Sequence, residues 1–118
     1  MVIPSRERSV LRSWSARATP ANADRYIDFF ERSLAPELSA IAGFRGARVS
    51  TREELEASGA VVIDVVTEWA SFDAIRRFAG ATIDRAVVEP EARSLLLSWD
   101  ERVTHHALRL CIAPGDAQ

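Results

Sequence analysis

Residues Ala60–Trp69 read Ala-Val-Val-Ile-Asp-Val-Val-Thr-Glu-Trp, the densest β-branched run in the chain. Branching at Cβ stiffens χ1 and suits a pleated strand better than a helix. Side chains alternate across a strand, so Val61, Ile63, Val65, Thr67 and Trp69 share one face, while Val62, Asp64, Val66 and Glu68 share the other. The first face calls for a helical layer on top. The two valines on the second call for a cover of their own.

The flanking segments supply that helical layer. Ser9–Ala18 carries apolar residues without helical spacing and stops at Thr19-Pro20, which reads as a first strand followed by a capped helix start. Ala23, Tyr26, Ile27, Phe30 and Leu34 then recur at three and four, one buried helical stripe, and Pro36 is expected to interrupt it. A short turn, 37–42, ends at Gly43. Phe44–Thr51 alternates weakly, and the polar stretch 53–59 joins it to Ala60–Trp69 as a hairpin. Ser71 caps a second helix whose face is Phe72, Ile75, Phe78 and Ala79, closed by Gly80. Pro90-Glu91 opens a short helix expected to bury Leu95 and Leu96, and Glu101–Cys111 alternates as the last strand. The order β-α-β-β-α-β predicts an α+β, ferredoxin-like domain with a four-stranded antiparallel sheet and two principal helices on one face.

Length and composition fit one domain, 1–118, with a core over about 9–111 and short tails. Apolar residues at 47% and charged residues at 27% describe a globular chain. All 15 basic residues are arginines against 17 acidic ones, so the net charge of -2 offers nothing to attract nucleic acid or an anionic membrane, and Schiff-base chemistry on lysine is excluded. Cys111 alone forms no internal disulfide and no multi-cysteine metal site. With no apolar targeting segment at the N-terminus and no apolar run of spanning length, the expectation is a cytoplasmic protein.

Two helices cover one side of a four-stranded sheet. Val62, Val66 and similar residues on the other side would leave a larger apolar patch than a monomer usually exposes, so a homodimer packed sheet against sheet is expected, an eight-stranded α/β barrel with helices outside. An amphipathic open sheet is the alternative, given Asp64 and Glu68 on that face, which read as interface ion-pairing groups.

The candidate chemistry is sparse. His105 and His106 are the only imidazoles and point to opposite faces of a strand, which disfavours a shared metal. One of the two is a candidate general base, or else a hydrogen-bonded packing residue. Trp69, with Phe30, Phe72 and Phe78 as neighbours, and Trp14 on the first strand form either a stacking surface for a planar ligand or ordinary core. Tyr26 lies on the helical stripe with a hydroxyl that needs a partner. Arg12 shares a face with Trp14, where its charge must reach solvent, pair with Asp64 or Glu68, or face a pocket holding an anion or enolate. No G-x-G-x-x-G, P-loop, G-x-S-x-G or H-E-x-x-H element is present.

Trp14-Ser-Ala-Arg17, Ala23-Asp24-Arg-Tyr26, Pro36-Glu37-Leu38, Gly43-Phe-Arg45-Gly46, Glu68-Trp69-Ala-Ser71-Phe-Asp-Ala74-Ile75, Phe78-Ala79-Gly80, Ala86-Val87-Val88-Glu-Pro90-Glu91 and Val103-Thr-His105 occur in that order. In order and spacing they resemble the antibiotic biosynthesis monooxygenase-like family of dimeric α/β barrel proteins, over about residues 10–108. The resemblance implies a homodimer with a pocket between sheet and helices in each subunit. In characterised relatives such a pocket serves oxygenation of electron-rich aromatic rings without metal or flavin, haem breakdown, or binding and isomerisation of small molecules. Haem breakdown is disfavoured here, because the only asparagine is Asn22 and residues 71–97 hold no histidine. The reading is therefore a cofactor-free monooxygenase acting on a small aromatic or polyketide-like substrate. His105 would accept the proton, Arg12 or Tyr26 would steady the oxyanion, and Trp14, Trp69, Phe30 and Phe78 would wall a cavity of a few hundred Å³, the usual pocket scale. The alternative is a non-catalytic dimer that binds a small apolar molecule.

Overall fold

The computed structural model describes residues 8–54 and 59–117. The expected targeting-free stretch at 1–7, the middle of the hairpin connection at 55–58 and the terminal Gln118 lie outside the described residues. The elements are β1 (Val10–Ala18), α1 (Pro20–Phe29), a π-helical turn (Phe30–Leu34), α2 (Ala35–Ser39), β2 (Phe44–Glu53), β3 (Val61–Trp69), α3 (Phe72–Ala79), α4 (Pro90–Arg93), β4 (Ser98–Trp99) and β5 (Thr104–Ala107), with a 3₁₀ turn at Pro114–Ala117. This is the expected α+β architecture with an antiparallel sheet, in the order β2-β3-β1-β4, with β5 also on β1.

One difference from the expected topology lies at that last edge. The single strand Glu101–Cys111 is replaced by two short ones on the same side of β1, with β4 opposite Ala16 and Arg17 and β5 opposite Val10–Ser13. Between them residues 101–103 leave β1 and pair with the loop after α3. Ala86 N–H donates to Glu101 O, Val103 N–H donates to Asp84 O, and Arg85 bridges Arg102. The backbone groups stay satisfied on a different partner, which an alternation pattern cannot distinguish from a continuous strand.

Thr19 Oγ1 accepts from Asn22 N at 3.2 Å and Pro20 takes the first helical position, as expected. Pro36, however, does not end the helical run. The turn before it widens to π geometry, with Ala35 N–H reaching back to Phe30 O, and the chain continues into α2. Proline lacks the N–H an α-helix would use, and the wider turn absorbs that loss. The buried stripe shifts accordingly: Phe29 is buried with Ala23, Tyr26, Phe30, Leu34 and Leu38, whereas Ile27 is exposed.

The β1–β3 register sets Val10 opposite Trp69, Arg12 opposite Thr67 and Trp14 opposite Val65. These residues therefore face the helices, and Leu11, Ser13, Ser15 and Arg17 face the back with Val62, Asp64, Val66 and Glu68. The back of β3 is less apolar than expected. Val62 is already buried between its cross-strand neighbours Arg17 and Arg52, and arginine stems cover apolar surface while the heads stay wet. The carboxylates are engaged within the chain: Asp64 accepts from Ser15 Oγ and Arg52 Nε, and Glu68 accepts from Ser9 Oγ at 2.7 Å. Leu95 and Leu96 only pack part-buried at the core margin, where Ala92 is the buried residue of α4.

Candidate functional site

The helix-facing side of β1 and β3 does not close completely against α1, the π turn and α2. A cavity of about 50 Å³ remains, walled by Trp14, Tyr26, Phe30, Leu34, Val65 and Phe78, with Arg12 and Thr67 as its polar sheet residues. That is several times the roughly 10–15 Å³ needed by one water. It is smaller than the few hundred Å³ expected and sits beside Thr67 rather than Trp69. Trp69 fills its own surroundings: its ring is stacked 5.9 Å from Phe78, meets Phe44 edge-on at 5.2 Å, and is fully buried. Its indole N–H donates to Thr67 Oγ1 at 2.8 Å. Val87, 38% exposed, carries the lining out to the surface.

The helical run supplies its wall at a regular interval. Phe30, Leu34 and Leu38 lie four apart, and the π turn that begins at Phe30 directs this row at the cavity while Tyr26 approaches from the preceding turn. Tyr26 packs 6.1 Å from Trp14 and from Phe29. Its hydroxyl makes no hydrogen bond among the described residues, and burial holds the phenol well above its ordinary pKa. Tyr26 is therefore a neutral donor.

Arg12 is 5% exposed, yet it has no ion pair among the described residues. The expected pairing with Asp64 or Glu68 is ruled out by parity, because those carboxylates lie on the opposite face of the sheet. Instead the guanidinium is held by backbone. Nη1 donates to Ile83 O, Nη2 donates to Arg85 O at 2.9 Å, and the group lies 5.9 Å over the Phe78 ring. Burial lowers its pKa to about 10 against the opposing pull of Asp84, so it remains charged at neutral pH. A buried cation compensated only by dipoles and a more distant carboxylate is a receptive site for an anionic oxygen.

His105 lies on the helix side of the sheet, opposite Arg12 in the β1–β5 register. Its Nε2 is 3.2 Å from Arg12 Nη1 and its ring meets Phe72 edge-on at 5.5 Å. Guanidinium nitrogens only donate, so Nε2 accepts and Nδ1 carries the proton. Burial, and then the Arg12 charge, lower the His105 pKa and keep the ring neutral. His105 stands behind Arg12, outside the cavity lining. His106 faces the back, where its Nε2 is 2.8 Å from Thr104 Oγ1.

The structure thus brings Arg12, Tyr26, Trp14, Phe30 and Phe78 around one space, sets His105 one residue further out and leaves Trp69 in the core. Thr67 was missed from the sequence, because a lone threonine on an apolar strand face reads as packing. Its oxygen accepts from Trp69, which leaves its own O–H to donate beside Arg12. Among the described residues no group of three or more His, Cys, Asp or Glu side chains is placed to hold a metal ion. No described helix is long and apolar enough to cross a membrane.

No protein-family model and no curated protein matches this sequence, but solved structures share its fold. A monooxygenase of Streptomyces coelicolor in complex with the ligand nanaomycin D superposes with a TM-score of 0.63 at 15% identity, covering 92% of this chain and 94% of that one. A Nitrosomonas europaea protein of unknown function gives 0.62 at 17% identity, over 92% and 97% of the two chains. A dimeric ferredoxin-like protein of unknown function from Thermobifida fusca gives 0.52 at 15% identity, over 85% and 92%. The fold is that of antibiotic biosynthesis monooxygenase-type and dimeric ferredoxin-like proteins.

Proposed function

We propose that this protein is a cofactor-independent monooxygenase that binds a small phenolic, polyketide-like substrate as its anion. The observation that carries the reading is the buried Arg12 guanidinium, held by carbonyls and by neutral His105 and lacking an ion pair among the described residues, with Thr67 beside it in the lining. Arg12, Tyr26 and Thr67 are all donors, so the lining suits an oxygen that carries negative charge. Trp14, Phe30 and Phe78 suit the edge of the ring that bears it; at about 50 Å³ the cavity takes the oxyanion, and the rest of the substrate extends outward past Val87, which requires the wall to open.

In this scheme Arg12 lowers the pKa of the bound phenol, and the proton leaves to water. The electron-rich phenolate reduces O₂ and forms a C–O bond at a ring carbon. Loss of the ring hydrogen then yields a quinone; one oxygen atom becomes the new carbonyl and the other departs as water, balancing phenol plus O₂ against quinone plus water. His105 acts through Arg12 as a positioning residue. The apolar wall keeps bulk water off the carbanionic carbon.

The same reading includes a homodimer, supported by a neighbour of the same fold that is dimeric, and joins it through the back of the sheet. That face offers Leu11, Val66 and Leu108 around a hollow, with Leu110 and Ile112 largely exposed beside it. Incubation with a panel of naphthols and hydroxyanthrones, with oxygen uptake followed at an electrode and quinone by absorbance, tests the assignment. Expected is one O₂ consumed per quinone formed, lost in Arg12→Lys. No uptake with any member of the panel, or equal uptake by the variant, overturns it.

A further inference from the structure

A second hollow, of about 390 Å³, opens outside the short bridge between residues 84–86 and 101–103, on the far side of the loop that holds Arg12. Arg85, Arg93, Arg102, Trp99 and Glu101 line it. The chain as a whole carries a net charge of -2, whereas here three guanidiniums stand against Glu101 in the lining and the Asp84 partner of Arg102, a local excess of one positive charge.

The bridge sets Arg85 directly opposite Arg102. Like charges in register across a strand pair repel and are destabilising unless neutralised. Asp84 serves Arg102. Among the described residues, nothing pairs with the Arg85 side chain. Arg93 spends its Nε on Val88 O at 3.0 Å and keeps its terminal nitrogens. Trp99 adds an independent sign: the indole N–H groups of Trp14 and Trp69 donate to Asp100 O and Thr67 Oγ1, whereas that of half-buried Trp99 has no acceptor among the described residues.

We propose that this hollow binds an oxyanion, a phosphate or a carboxylate, between Arg85, Arg102 and the Trp99 indole N–H. The Arg85 guanidinium, the Trp99 N–H and the Arg102 nitrogens that Asp84 does not hold match a group with several acceptor oxygens. Residue 85 belongs to both sites, since its side chain lines the hollow and its carbonyl holds Arg12 Nη2. The hollow is separate from the phenol cavity, and its occupation does not depend on the oxygenase reading.

The test is ¹H–¹⁵N spectroscopy of the indole region, with the Trp99 signal assigned by Trp99→Phe. Sodium phosphate is titrated in one arm and sodium benzoate in another, each against sodium chloride of equal ionic strength. Expected is a saturable shift of the Trp99 signal with at least one oxyanion while the Trp69 signal stays in place. Arg85→Gln and Arg102→Gln are each expected to weaken binding about tenfold or more, the worth of one charge-assisted hydrogen bond. Saturation by phosphate alone names a phosphate ligand, and saturation by benzoate names an organic acid. Shifts that follow ionic strength only, or that survive unchanged in both variants, overturn the proposal.

Discussion

Arg12 Nη1 stands 3.2 Å from His105 Nε2, so the one buried guanidinium of the cavity and a neutral imidazole share a proton-donating contact across β1 and β5. Protonating His105 would set two cations side by side. Burial first, and then this conflict with Arg12, lower the His105 pKa.

A pH prediction follows. A histidine whose pKa is lowered in the fold binds its proton more readily when unfolded, so its contribution is complete above the ordinary value of 6.5. It is lost as pH falls through the window below 6.5 toward the native value. Urea midpoints measured from pH 8 to 4.5 are expected to fall through this window, and His105→Gln to flatten that part of the curve.

Arg12→Lys keeps a charge but cannot span the carbonyls of Ile83 and Arg85 with a planar fork. Quinone formation is expected to drop by roughly 10²–10³, the loss seen when one oxyanion donor is removed. Stability should fall by about 1–3 kcal/mol as a buried carbonyl loses its partner. Oxygen-electrode rates and chemical denaturation read the two effects separately.

Tyr26→Phe removes a hydroxyl that no described residue uses and retains the ring packed against Trp14, Phe29 and Phe30. The expected change in stability is within about 0.5 kcal/mol, since no intramolecular hydrogen bond is lost. Affinity for a phenolic substrate should fall about tenfold, as for one lost hydrogen bond. Calorimetric binding beside a thermal melt distinguishes this from a packing role.

Gly43 adopts φ +94°, and a Cβ built there meets Ala74 Cβ at 2.6 Å. Gly43→Ala therefore combines a left-handed backbone with a clash against α3, and about 1–3 kcal/mol of destabilisation is expected in denaturant titration. Trp69→Ala, which empties the space between Phe44 and Phe78, should cost about 3–5 kcal/mol.

Val66 faces away from the helices and stands opposite Ser13 and Arg48. Val66→Arg adds a further guanidinium beside Arg45 and Arg48 on the proposed subunit interface without touching the core. Sedimentation is expected to move from twice 13.1 kDa for the parent to 13.1 kDa for the variant, with circular dichroism unchanged. A parent that sediments at 13.1 kDa removes the dimer from the proposal.

Much of this architecture can be read from local pattern. The β-branched run 60–69, the Thr19-Pro20 cap and the glycines at 43 and 80 each act within a few residues, and the elements they predict are present. Pro36 shows the limit: a proline signals a missing N–H, but whether the helix stops or widens depends on what the following turn can bury, here Leu38.

The candidate site was legible as a residue inventory and not as an arrangement. The sequence by itself determined that Arg12 and Trp14 share a face, that His105 and His106 do not, and that Asp64 and Glu68 go together, because strand parity is a property of the backbone. Only the tertiary structure decided that Arg12 lies beneath the helices against Ile83 and Arg85 and that His105 stands behind it. It also decided that Trp69 fills its own space while Thr67 borders the cavity. These depend on the register between β1, β3 and β5 and on the detour of residues 101–103 to a loop fifteen or more residues away. Pairings between distant segments are set by the summed packing of the whole core, to which no short stretch of chain has access.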